Sequence, residues 1–247
     1  MNNSFIWKQE YLQPAISLSV TLICYLTYHF VSNSDRLKGK IKKRSGIKSI
    51  QEFRIYFRQI SGFIFLGCIP FMVLLIILPG RLADYGLSLS IGMNTLYYTV
   101  ILSAIIIIIN FFASKSASNL RKYPLIRVKT WSIKLLIFSS LGWIIYLLAY
   151  EFLFRGFLLF SCIHTFGIWP SIIINILVYS FAHIPQGIKE TAGAVPFGLL
   201  LCFLTILSGT IWPAFILHIV LAISNEWFSI YNNAEISARF IGSGISK

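Results

Sequence analysis

Tyr150-Glu151-Phe152-Leu153-Phe154-Arg155-Gly156-Phe157-Leu158-Leu159 sets one carboxylate and one guanidinium four residues apart in an otherwise apolar run. On a helix, residues i and i+4 share a face, so Glu151 and Arg155 can pair while their neighbours meet lipid or packed helices. The run sits inside an apolar stretch long enough to cross a bilayer, where unpaired ionisable groups are costly and mark functional sites by default. The plainer reading is a buried ion pair that locks two helices together.

Composition places the rest of the chain in the same solvent. Of 247 residues, 57% are hydrophobic and 12% charged, and the mean hydropathy is +0.77. These values lie far from those of a soluble domain and predict an all-α, polytopic membrane bundle. The net charge of +13 would suggest nucleic acid in a soluble protein. Here the basic residues gather between apolar runs, as cytoplasmic loops do, and no nucleic-acid partner is expected. Cys24, Cys68, Cys162 and Cys202 fall in separate apolar segments without CxxC spacing. They read as packing residues, with neither a disulfide framework nor a zinc cluster.

Apolar runs predict seven spans, at about residues 11 to 32, 60 to 79, 94 to 113, 132 to 162, 168 to 185, 195 to 208 and 211 to 231. The first reads as a retained span, since no small-residue cleavage site follows it. The fourth is too long for a perpendicular crossing and is expected to tilt or break. One basic loop runs from Arg36 through Lys38, Lys40, Lys42, Lys43, Arg44 and Lys48 to Arg54 and Arg58; a second carries Lys115, Arg121, Lys122, Arg127 and Lys129. Both fall on the same side, as do Lys189, Arg239 and Lys247. That predicts a cell-membrane protein with its amino terminus outside and its carboxyl terminus in the cytoplasm. The expected organisation is an amino-terminal transmembrane region over 1–131, a membrane core over 132–231 and a cytoplasmic tail over 232–247.

Two histidines join the acidic pair within the spans. By a rise of about 1.5 Å per residue, Glu151 lies roughly 15 Å, His183 roughly 20 Å and His218 roughly 10 Å from the outer end of its span. All three can therefore meet. A lone intramembrane histidine is usually a helix-to-helix hydrogen-bonding residue. With a carboxylate the set becomes chemical, because imidazole serves as general base or oxyanion stabiliser and a carboxylate activates water. Two imidazoles and one carboxylate, His183, His218 and Glu151, would also make a zinc site with an open position, although no HExxH motif accompanies them. His29 and His164 fall near span ends and read as interfacial.

Glu151-Phe-Leu-Phe-Arg155-Gly156, then Tyr179 four residues before His183, then Ser208-Gly209-Thr210-Ile211-Trp212 leading to His218, resemble the CAAX protease and bacteriocin-processing family of intramembrane endopeptidases. The resemblance covers about residues 132 to 231. It implies a membrane peptidase acting on membrane-associated peptides or proteins, with Glu151, His183 and His218 at its site and Arg155, Tyr150, Tyr179 and Asn225 in support. Three positions depart from the family pattern. Its first motif begins Glu-Glu, and Tyr150 stands at the leading Glu, the residue usually assigned to activating water. A phenol is no carboxylate base near neutral pH. Tyr179 replaces the Phe of the second motif, and Ala222 stands at the Asn or Asp of the third, with Asn225 about two turns beyond His218 as a substitute on a nearby face. Three readings follow: an endopeptidase; a proteolytically silent relative that binds a membrane peptide or protein, as an immunity factor or regulator would; and a transporter or channel. The last is disfavoured because no paired broken spans occur in matching halves.

Overall fold

Long apolar helices follow directly from a chain that must satisfy every backbone polar group within lipid. The computed structural model describes residues 8–47, 49–240 and 243–244. Residues 1–7, Lys48 of the first basic run and Lys247 of the tail lie outside the described residues, as do the side chains of Arg44 and Arg239. Among the described residues seven helices are long and apolar enough to span a bilayer: α1 Gln9–Asn33, α3 Ile50–Ile76, α4 Met93–Ala113, α5 Ile133–Phe166, α6 Ile168–Gln186, α7 Ile188–Ser208 and α8 Trp212–Asn232. Between α1 and α3 lies α2, Asp35–Ser45, which carries much of the first basic run. The chain is a multi-pass membrane protein with a helical-bundle fold.

Local sequence sets the helix ends. Ser34, Ser49 and Ser132 each accept a hydrogen bond from the backbone N–H three residues on, capping α2, α3 and α5, which satisfies donors that have no partner within the helix. Pro213 enters α8 in its first turn, where its missing N–H costs nothing. At the far end of α7, Gly209 adopts φ of 67°, the left-handed cap that glycine takes without strain.

Several boundaries differ from the hydropathy reading. The second span starts at Ile50, which makes Arg54 and Arg58 helical residues instead of loop residues. Their long stems let a helix continue past the apolar core with the charges at its rim. The sixth span starts at Ile188 for the same reason: Lys189 and Glu190 lower its hydropathy without breaking the helix. The long fourth stretch is one continuous helix of 34 residues, whose backbone widens to a π-helix over Phe152–Leu159. A second wide stretch, Phe63–Cys68 in α3, packs against α5. Gly67 sits at that contact, where a Cβ would come 2.8 Å from the Cβ of Ala149; small residues allow this close approach between membrane helices.

α8 packs against α4 and α5, while α6 packs against α7. The buried core includes Tyr28, Leu66, Tyr85, Tyr150, Phe154 and Tyr179. Large apolar side chains such as Ile105, Ile108, Phe138, Leu177 and Leu207 are turned outward toward the lipid. One end of the bundle is closed by the segment before α4: the Gly86 carbonyl accepts from Ile211 N–H at 3.0 Å and from Thr210 Oγ1 at 2.9 Å, and Trp212 Nε1 donates to the Ser88 carbonyl at 2.8 Å. At the other end a short strand, β1 Thr130–Ser132, pairs in parallel with β2 Ser237–Phe240, and β2 pairs antiparallel with β3 Ser243–Gly244. These strands add a small ribbon at the rim of the helical fold, fastened by the buried Trp131.

Candidate active site

The wide stretch of α5 positions the site. A π-turn holds more residues than an α-turn and is often found where function needs a side chain re-aimed. Tyr150 and Glu151 stand just before it and Arg155 lies within it. All three are buried, Glu151 and Arg155 completely. The expected pair forms, with Arg155 Nη1 3.4 Å from Glu151 Oε2.

The carboxylate reaches a second partner on another helix. Glu151 Oε1 lies 2.5 Å from His218 Nδ1 on α8. With the ring proton on Nδ1, the imidazole donates to this carboxylate and turns its other nitrogen, Nε2, away from it. Arg155 is held in turn: its guanidinium lies over the Tyr179 ring, 4.2 Å from the centroid, and Nη2 points to the Gly198 carbonyl at 3.5 Å. A Cβ on Gly198 would come 3.0 Å from the Tyr179 ring, so glycine there is what lets α7 close over this arrangement.

His183 arrives from the end of α6. Its Nδ1 is 2.9 Å from the Tyr179 carbonyl and 3.5 Å from Tyr150 Oη. The Tyr150 ring stands between the histidines, its centroid 6.1 Å from that of His183 and 5.8 Å from that of His218. Phe197 covers His218 edge-on at 5.5 Å. Tyr150, His183 and His218 all line one cavity of about 390 Å³, together with Ala222 and Asn225. Glu151 is not among its lining residues and is fully buried beside His218.

The structure thus brings Glu151, His183, His218, Arg155, Tyr150 and Tyr179 into one cluster and sets Asn225 on its cavity wall. It gives them unequal places. Tyr150, at the position of the family's leading carboxylate, faces the cavity, whereas Glu151 faces the interior. Among the described residues no three His, Cys, Asp or Glu side chains gather about a common point that could hold a metal ion. Glu151 is hydrogen-bonded to His218 Nδ1 and does not line the cavity, so of the expected zinc set only His183 and His218 border it.

Other groups at the cavity were not singled out from the sequence. Asn110 on α4 donates from Nδ2 to the Leu221 carbonyl and to Ser224 Oγ, each at 2.8 Å, which sets an amide beside the wall where Ala222 leaves none. An asparagine next to the Ile105–Ile109 run was the available signal, since amides in spans usually bind across helices. Glu226 on α8 is 1% exposed and accepts from Ser139 Oγ at 3.0 Å, Trp143 Nε1 at 2.7 Å and Leu125 N–H at 3.3 Å. This carboxylate ties the segment before β1 to α5 and α8 and holds Trp143, which lines the cavity. Glu190 lines it too and pairs with Lys122.

Residues 130–224 match the family model described as Type II CAAX prenyl endopeptidase Rce1-like. The matched segment begins at β1 and ends in α8, and it contains Tyr150, Glu151, Arg155, Tyr179, His183 and His218. No curated protein and no solved structure matches the chain.

Proposed function

We propose, on the premise of this Rce1-like segment, that the chain is an intramembrane endopeptidase that hydrolyses peptide bonds of membrane-associated peptides or proteins. The observation that carries the reading is the 2.5 Å contact of Glu151 with His218 Nδ1, on an imidazole that also borders the cavity. With Nδ1–H donated to Glu151, Nε2 of His218 keeps its lone pair and has no protein partner among the described residues. A neutral imidazole so oriented takes a proton from water as that water attacks a carbonyl. Glu151 is then a positioning residue that also stabilises the imidazolium as it forms, the logic of a carboxylate behind a catalytic histidine. The Tyr150 hydroxyl, on the same wall, is the hydrogen-bond donor for the oxyanion that develops, while His183, whose Nδ1–H donates to the Tyr179 carbonyl, offers Nε2 as an acceptor. Protonated His218 afterwards gives its proton to the leaving amine.

A second reading, a silent relative that binds a membrane peptide without cutting it, draws support from Tyr150. At the place where the family carries its water-activating carboxylate, the cavity presents a phenol. The separating experiment uses purified protein in proteoliposomes with a membrane-anchored peptide library and mass-spectrometric detection of products. Cleavage that disappears in His218→Ala and His183→Ala, at wild-type abundance, supports the peptidase. Retention of peptide without product by the wild-type chain would establish the silent reading instead.

A further inference from the structure

A second cavity of about 370 Å³ adjoins the first and shares Tyr123, Trp143, Tyr146, Gln186 and Glu190 as a common wall. It lies between α1, α3 and the segment before β1, and is bordered by Arg58, Lys122, His29, Tyr25 and Tyr28. Its place in the bundle is set by the helix ends. α1 ends at Asn33, α3 begins at Ile50, α4 ends at Ala113, α5 begins at Ile133 and α6 ends at Gln186, all at one end. Of the described lysines and arginines, only Lys8, Arg81 and Arg155 lie away from this end, if each helix crosses once. The cavity therefore lies toward the basic end of the bundle, where tyrosine and arginine are usual interfacial anchors.

Arg58 is the telling residue. It makes no hydrogen bond or ion pair with any described residue, although a guanidinium offers five donors in a fork that matches phosphate oxygens. Its charge is felt at the Tyr123 phenol, which burial pushes up and Arg58 pulls back down. The acidic groups nearby are already engaged: Glu190 by Lys122, and Glu226 by Ser139, Trp143 and the Leu125 N–H. His29 stacks on Tyr25 at 6.5 Å and adds a further polar edge.

We propose that this second cavity binds the phosphate of an anionic phospholipid headgroup, with Arg58 as its principal ligand and the Tyr123 hydroxyl beside it. Basic pockets between helices at the headgroup level take anionic lipids in this way. The acyl chains would follow the outward apolar faces of α1 and α3. The site stands apart from the hydrolytic reading and holds for a silent relative equally well.

The test measures lipid retained by the full chain purified in a neutral detergent, titrated with short-chain phosphatidylglycerol, with phosphatidylcholine, and with inorganic phosphate as competitor. Phosphatidylglycerol is expected to be retained in preference to phosphatidylcholine. Arg58→Gln should weaken its binding about fivefold, Arg58→Lys less, and Lys40→Gln on α2 not at all. Thermal unfolding of each variant without lipid checks that the bundle is intact, and the Arg58→Lys comparison still reads the site if Arg58→Gln unfolds. Equal retention by wild type and Arg58→Gln, or equal retention of the two lipids, overturns the proposal. Competition by inorganic phosphate at the same concentration as the lipid also overturns it, since the ligand would then be a free phosphate.

Discussion

Glu151 and His218, 67 residues apart in the chain, meet at 2.5 Å across the interface of α5 and α8. Nothing local in either helix requires this contact. It fixes the rotation of both helices about their axes, because a sealed carboxylate without a partner would be strongly destabilising. It also holds the carboxylate of Glu151 against His218 Nδ1, while the imidazole borders the cavity.

Glu151→Gln is expected to lower hydrolysis by about 10²- to 10⁴-fold, since an amide can present either a donor or an acceptor to Nδ1 and no longer stabilises the imidazolium. Its pH profile should change along with its rate, and a merely structural glutamate would not produce that change. Wild-type turnover in this variant would remove the carboxylate from the mechanism.

Tyr150→Phe keeps the ring between the two histidines and deletes only the hydroxyl. Loss of one oxyanion donor should cost about 10²- to 10³-fold in kcat with little change in KM. A variant as fast as wild type would leave Tyr150 as packing alone. The converse replacement, Tyr150→Glu, restores the family's leading carboxylate at the cavity wall; a gain of cleavage there would identify the wild-type chain as a silent scaffold.

Removing the charge partner tests the other side of Glu151. Arg155→Met leaves the carboxylate with His218 alone, and breaking a buried pair from one side typically costs about 3 to 5 kcal/mol. Thermal denaturation in detergent should show that loss. The double variant Arg155→Met with Glu151→Gln should recover part of it, because neither charge is then left unpaired. Additive losses in the double variant would mean that the 3.4 Å ion pair contributes no coupling.

Much of this is legible in the sequence. Seven apolar runs set the number of spans because lipid leaves the backbone no alternative to helices. The i, i+4 spacing of Glu151 and Arg155 foretold their pairing, since that relation is internal to one helix. Hydropathy failed at the rims, at Ile50 and Ile188, where charged residues with long stems continue a helix that a window average cuts short. It also missed Asn110, Glu190 and Glu226, which looked like isolated polar residues in segments with no motif.

From sequence alone, then, came the membrane class, the count of helices, the polar residues available for chemistry and the family likeness over the second half of the chain. Tertiary structure decided which of two adjacent side chains, Tyr150 or Glu151, faces the cavity, and it set Arg58, which makes no hydrogen bond or ion pair among the described residues, on the wall of a second one. The physical reason is that neighbouring residues on a helix point about 100° apart. Which direction becomes cavity depends on how α5 packs against α6, α7 and α8, a matter of contacts between segments far apart in the chain.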